Sequence, residues 1–104
     1  MFLGKVIGSV VATRKDPSMK GHKLLLVRPM LIDGTDPKKF KEGANTIVVI
    51  DTLGAGVGEM VMFAQGSSAR MAEGLKALPV DAAVVGLVDT VSVLGKKTYE
   101  ARNG

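Results

Sequence analysis

The sequence has no cysteine and a single histidine, His22. The first absence excludes a disulfide framework and any thiolate metal site. The second excludes a histidine-rich metal site. His22 stands in a polar turn between Lys20 and Lys23, where a solvated side chain is the ordinary reading. Tryptophan is missing, and aromatic residues make up only 4% of the chain. The four are Phe2, Phe40, Phe63 and Tyr99, and they are scattered. A surface for single-stranded nucleic acid interleaves aromatics with Lys and Arg, and no such stretch is present. No apolar run approaches the roughly 18 residues of a membrane span. The opening MFLGKVIGSVVAT is apolar, but Lys5 interrupts it and no basic residue precedes it, so it reads as a strand rather than a signal peptide. The lack of cysteine agrees with a reducing compartment. Together these features predict a soluble, cytoplasmic protein with no cofactor, no metal and no membrane partner.

What remains is a short, greasy chain. Its 104 residues allow one small domain, residues 1–104, and 46% of them are hydrophobic. A compact monomer of this size exposes about 5,600 Å². A small barrel does not need that much Val, Leu, Ile, Met and Ala for its interior. The surplus is expected on the outside, and association with other copies is its usual reason. Fourteen Lys and Arg against ten Asp and Glu leave a net charge of +4. Much of the excess lies in the turn-like stretches Arg14–Lys23 and Lys38–Lys41, so we read it as a solvated basic rim. The alternative is a nucleic-acid-binding module, for which a basic domain is the electrostatic cue.

Period-two alternation predicts a first strand over Phe2–Thr13, with the even positions inward and Gly4 and Gly8 allowing tight bending. Asp16-Pro17 and Lys20-Gly21 mark a turn. Lys23–Met30 is a second strand that Pro29 should end or confine to an edge. Leu31–Ala44 is irregular, with at most one helical turn at Lys38–Glu42. Asn45–Asp51 and Glu59–Gln65 are the third and fourth strands. Ser67–Leu78 holds the only predicted helix, capped by Ser67 or Ser68 and limited by Gly74 and Pro79. Val80–Leu94 is a fifth strand, apolar on both faces, which calls for a second layer over the outer face. Its residues Val85 and Leu87 are candidates for subunit packing. The tail, residues 95–104, is polar and either loose or laid against a neighbour. The expected fold is all-β with one short α-helix, a small five-stranded Greek-key barrel of the oligonucleotide-binding type.

The organising stretch is Asp51–Arg70, DTLGAGVGEMVMFAQGSSAR. Glycines Gly54, Gly56 and Gly58 separate two strands, which marks a place where main chain makes a close contact. We expect that contact to be with another copy of the chain. The run is not a dinucleotide fingerprint, because G-x-G-x-x-G requires glycine where Glu59 stands and no long helix follows. The carboxylates Asp51, Glu59, Asp81 and Asp89 form no acid–base or metal set and read as turn and interface hydrogen-bonding groups. No catalytic residue is predicted.

The opening LGKVIGSVVAT, GHKLLLV at Gly21–Val27, DTLGAGVGE at Asp51–Glu59, GSSAR at Gly66–Arg70 and VDAAVVGLVD at Val80–Asp89 occur in an order that resembles one family. It is that of the bacterial microcompartment vertex proteins, the pentameric shell proteins of the ethanolamine-utilisation and carboxysome type. The resemblance runs from about residue 1 to residue 93. It implies a five-stranded barrel assembled as a homo-pentamer that caps the fivefold vertices of a polyhedral shell. Hexameric microcompartment shell proteins are the implied partners, and the location is the shell, within the cytoplasm. By motif match, subunit packing falls to Gly54, Ala55, Gly56, Gly58 and Glu59. Helix capping with an interface role falls to Ser67, Ser68 and Arg70.

Overall fold

The structure is a computed structural model that describes residues 1–12, 21–66 and 81–101. Its strands are β1 (Phe2–Val10), β2 (Lys23–Ile32), β3 (Phe40–Glu42), β4 (Ile47–Asp51), β5 (Met60–Gln65), β6 (Ala82–Leu87), β7 (Thr90–Val93) and β8 (Lys96–Glu100). Five of them close a barrel in the order β1-β5-β6-β4-β2, with β2 returning to β1. Closure removes the free strand edges that make open sheets prone to uncontrolled pairing. Neighbours in the barrel are antiparallel except β4 and β6, which run parallel at Ile50 and Ala83. A parallel pair needs a long crossover. The helix expected over Ser67–Leu78 lies outside the described residues.

Inside the barrel, Val6, Leu25, Val27, Val49, Val61, Phe63 and Val84 pack with Ala55 and Ala82. Burying each of the larger side chains contributes about 1.5–3 kcal/mol. Gly4 faces this cluster where any side chain would collide with Val27 and Phe63. Phe2 is 47% exposed, yet its ring lies against that of Phe63 with centroids 5.5 Å apart.

The inward face predicted for the first strand holds for Gly4 and Val6 and then changes. Val6 pairs with Val27 and Gly8 with Leu26, so Ile7 is an extra residue. A bulge of this kind reverses the alternation. Gly8 and Val10 therefore pair with Leu26 and Leu24 instead of lining the core. Strand β1 ends at Val10 rather than Thr13. Pro29 neither ends β2 nor confines it to an edge, because β2 runs on to Ile32 and pairs with β1 at Gly4–Pro29. Proline lacks only a donor, and its carbonyl accepts the Gly43 N–H at 2.8 Å. The stretch considered for one helical turn contributes strand β3 instead, paired with Met30–Ile32.

The long fifth strand is two strands. It breaks at Val88–Asp89, where the chain leaves the barrel to start β7. The break is fastened to the barrel, since the Val88 N–H donates to the Met60 carbonyl at 3.0 Å. The two-sided burial expected there is found at Ala82, Ala83 and Val84. Residues 96–100, read as part of a loose or neighbour-bound tail, form β8 and pair with β7. The molecule measures 44 × 27 × 25 Å along its principal axes. The radius of gyration is 14.3 Å, against about 13 Å for a compact chain of this length.

Candidate subunit-interface site

The loop between β4 and β5 is held from within. Asp51, at the end of β4, is buried. Its Oδ1 accepts the Leu53 N–H at 2.9 Å and its Oδ2 accepts the Ala55 N–H at 2.7 Å. Lys23 stands opposite Asp51 in the β2–β4 register, and its Nζ donates to the Ala55 carbonyl at 2.8 Å. Both peptide groups of Ala55 are thereby satisfied while its side chain lies wholly inside the core. Charged partners make these bonds stronger than neutral ones.

The second half of the loop is a tight turn. The Glu59 N–H donates to the Gly56 carbonyl at 3.1 Å, and the Gly56 N–H donates to the Glu59 side-chain carboxylate. Strand β1 then clamps the turn from below. The Gly58 N–H donates to the Val6 carbonyl at 2.8 Å, and the Val6 N–H donates to the Glu59 carbonyl at 2.9 Å. Gly54 and Gly58 have φ of 86° and 92°, a conformation that disfavours any residue with a Cβ. Among the described residues, no atom beyond the chain neighbours lies within 4 Å of where their Cβ atoms would be, so conformation and not crowding favours glycine there. Gly58→Ala is expected to destabilise the dissociated chain by about 1–2 kcal/mol, read from its urea midpoint.

The N–H groups of Ala55, Gly56, Gly58 and Glu59 are bonded within the subunit. The loop's exposed apolar side chains are Leu53 at 48% and Val57 at 69% exposure, with Thr52 and Glu59 exposed beside them. Sequence reasoning singled out neither Leu53 nor Val57, nor Lys23. Val57 carried a signal, as an aliphatic residue between two glycines in a turn. Lys23 carried none, because only strand register brings it to the loop. A cleft of about 550 Å³ separates the turn, Gly56–Glu59, from Tyr99, Glu100 and Ala101 on and after β8.

Of the other predicted residues, Val85 is the unpaired residue of a bulge between β5 and β6, and it is half-buried. Leu87 pairs with Val61 at the end of β6 and is 43% exposed. Ser67, Ser68 and Arg70 lie outside the described residues. Away from this region, Asp33 accepts the Thr35 N–H at 2.9 Å and its hydroxyl at 2.7 Å. Those bonds hold the Asp33 carboxyl below its ordinary range and belong to the structure of a turn.

A closed five-stranded barrel with a preset, apolar-tipped glycine loop defines a class of small β-barrel proteins. The comparisons identify which. The family model described as "Ethanolamine utilisation protein EutN/carboxysome" matches residues 1–89. The shell vertex protein GrpN of Rhodospirillum rubrum is 48% identical over 94 residues, covering 90% of this chain and 99% of GrpN. The carboxysome shell vertex protein CcmL of Gloeobacter violaceus is 40% identical over 103 residues, covering 99% of this chain and 97% of CcmL. The solved structure of that CcmL superposes with a TM-score of 0.84 at 41% identity, over 99% of this chain and 100% of its own. The structure of GrpN, a pentameric microcompartment shell protein, superposes with a TM-score of 0.74 at 46% identity, over 90% of this chain and 99% of its own. The chain belongs to the EutN/CcmL family of microcompartment shell vertex proteins.

Proposed function

We propose that this chain is a vertex subunit of a bacterial microcompartment shell. Five copies close a ring, and the ring fills the fivefold corner left by hexameric shell proteins. The role is geometric and not enzymatic, since a shell of hexagonal tiles closes only where pentagonal units are inserted. Likeness along nearly the full chain to a pentameric shell protein carries this reading. The physical support is an exposed apolar surplus on a small domain: Leu53, Val57, Leu87, Ile7 and Val48 are all more than 40% exposed. The accessible surface of 6600 Å² exceeds the value for a compact monomer by about 1,000 Å².

A cyclic ring requires two different patches on each subunit, one meeting the other on the next copy. The loop around Leu53 and Val57 serves as one of them. Gly56 sits at its centre. A Cβ there would lie 3.2 Å from the Glu59 carboxylate, which is the end of a flexible side chain. Gly56→Leu is therefore expected to leave a soluble, folded chain that no longer forms the ring, seen as a shift to monomer in sedimentation velocity. A Gly56→Leu ring as stable as the parent would exclude this loop from the interface.

The shell role is tested by co-expression with hexameric shell proteins. Closed polyhedra are expected in electron micrographs when this chain is present, and open sheets or tubes when it is left out. Closed polyhedra without it would refute the role. The single-strand nucleic-acid reading is not favoured, because Phe63 is wholly buried and Phe2 stacks on it instead of offering a platform.

A further inference from the structure

The tip of the β7–β8 hairpin combines two unfavourable features in one residue. Leu94 has a φ of 52°, and among the described residues it is the only non-glycine with positive φ. It is followed by Gly95 with a φ of 77°. Such two-residue turns favour Asn-Gly or Asp-Gly, and a leucine there carries a backbone penalty. Leu94 is also 88% exposed, so water opposes it as well. Neither local structure nor solvation explains leucine at this point.

The hairpin that carries it is firmly mounted. The Ala101 N–H donates to the Asp89 carbonyl at 2.7 Å, closing the base. The Thr98 hydroxyl donates to the Pro37 carbonyl and ties β8 to the loop after β2. Leu94 is thus held out as a fixed knob. The tip also carries Lys96 and Lys97, both exposed.

The same chain holds a socket of matching chemistry elsewhere. A half-open depression of about 380 Å³ is lined by Leu3, Met62, Leu87, Val88, Asp89 and Val91, among others. Its floor is apolar and its rim carries the exposed carboxylate of Asp89. The Met62 side chain lies across the place a Gly86 Cβ would take, so the absence of a side chain at Gly86 makes room for it. Apolar tip meets apolar floor, and Lys96 meets a carboxylate, while Lys97 pairs with Glu100 of its own strand at 3.3 Å. Knob and socket lie about 15 Å apart along one hairpin, from Asp89 to Leu94. A tip seated in such a depression would therefore belong to a different copy.

We propose that Leu94 of each subunit seats in the Leu3–Met62–Leu87 socket of the next, with Lys96 facing the Asp89 rim. The inference rests on the ring proposed above and adds to it a second contact, whose knob lies beyond residues 1–89 matched by the family model and whose socket lies mostly within them. It makes the hairpin a strap that strengthens the ring. The one patch meets a different patch on the neighbour, as a closing ring demands.

Two variants test it in the full chain, with dissociation followed by dilution in mass photometry and folding by thermal denaturation. Leu94→Asp is expected to raise the concentration at which the ring comes apart at least tenfold, with an unchanged monomer fold. Leu94→Asn suits the turn better, so it is expected to raise the monomer's melting temperature and still weaken the ring. A turn with no role in assembly would show the first effect without the second. Asp89→Lys is expected to weaken the ring, and adding Lys96→Glu to restore it. Rings of both Leu94 variants with parental dissociation would overturn the strap while leaving the vertex role standing. A parental chain that is itself monomeric would refute the vertex role as well.

Discussion

Gly4→Ala is expected to cost about 3 kcal/mol, the upper end of what overpacking a core costs. A Cβ at this position would lie 2.3 Å from Cγ1 of Val27 and 2.8 Å from Cε1 of Phe63. Both neighbours are fully buried, and neither is the end of a flexible chain. Gly4 also sits where three strands meet, paired with Pro29 on β2 and with Val61 on β5. Relief therefore demands movement of the strands that close the barrel. Small domains are stable by only about 5–15 kcal/mol, so the change removes a large share. Thermal denaturation should show a loss on the order of 10–20 °C. The comparison must be made at one protein concentration, because assembly shifts the apparent midpoint. A loss under about 2 °C would mean that Gly4 is not packed as described.

Asp51→Ala is the second large effect. It strips the Leu53 and Ala55 N–H groups of their acceptors at a buried position. Leaving buried donors unsatisfied costs about 1–3 kcal/mol, and more where a charged partner is lost. The total expected is about 2–4 kcal/mol. Assembly should suffer more than folding, because the loop that presents Leu53 and Val57 loses its fixed shape. Asp51→Asn keeps one acceptor and turns an amide toward the other donor, so it should fall between the two. Urea unfolding of the dissociated chain gives the first quantity, and the dilution at which the ring separates gives the second. Equal behaviour of parent and Asp51→Ala in both would refute the role assigned to the carboxylate.

The barrel was legible because its strands carry strong local signals. The runs predicted as strands at Lys23–Met30 and Asn45–Asp51 are β-branched or leucine-rich and bounded by turns, and strands are found there as β2, Lys23–Ile32, and β4, Ile47–Asp51. The bulge at Ile7 was not legible. Nothing in VIGSV distinguishes a bulged strand from a regular one, because the extra residue is set by pairing with β2. The split of the last long run at Val88–Asp89 was hidden for a related reason. Its residues are apolar on either side of the break, and only the bond from Val88 to Met60 on β5 shows where the chain turns away. The hairpin tip had its own sign in Leu94-Gly95, but a leucine in a left-handed turn is too uncommon to expect from sequence.

The glycine segment divides in the same way. Its importance was visible in three glycines at alternate positions, and Gly54 and Gly58 do take the left-handed conformation. The partners of its backbone were not visible, because they come from distant parts of the chain. Val6 on β1 and Lys23 on β2 reach the loop only through the closed barrel. Sequence therefore pointed to the loop and not to the groups that hold its backbone. Its N–H groups at Ala55, Gly56, Gly58 and Glu59 are bonded within the subunit, and Leu53 and Val57 stand exposed beside them.

Exposed apolar surface on a small, extended subunit has one direct consequence, which native mass spectrometry of the parental chain at micromolar concentration reads without ambiguity. The account predicts a dominant species of roughly five times the 10.9 kDa chain mass. A dominant species at the mass of one chain, persisting as concentration rises, would contradict it.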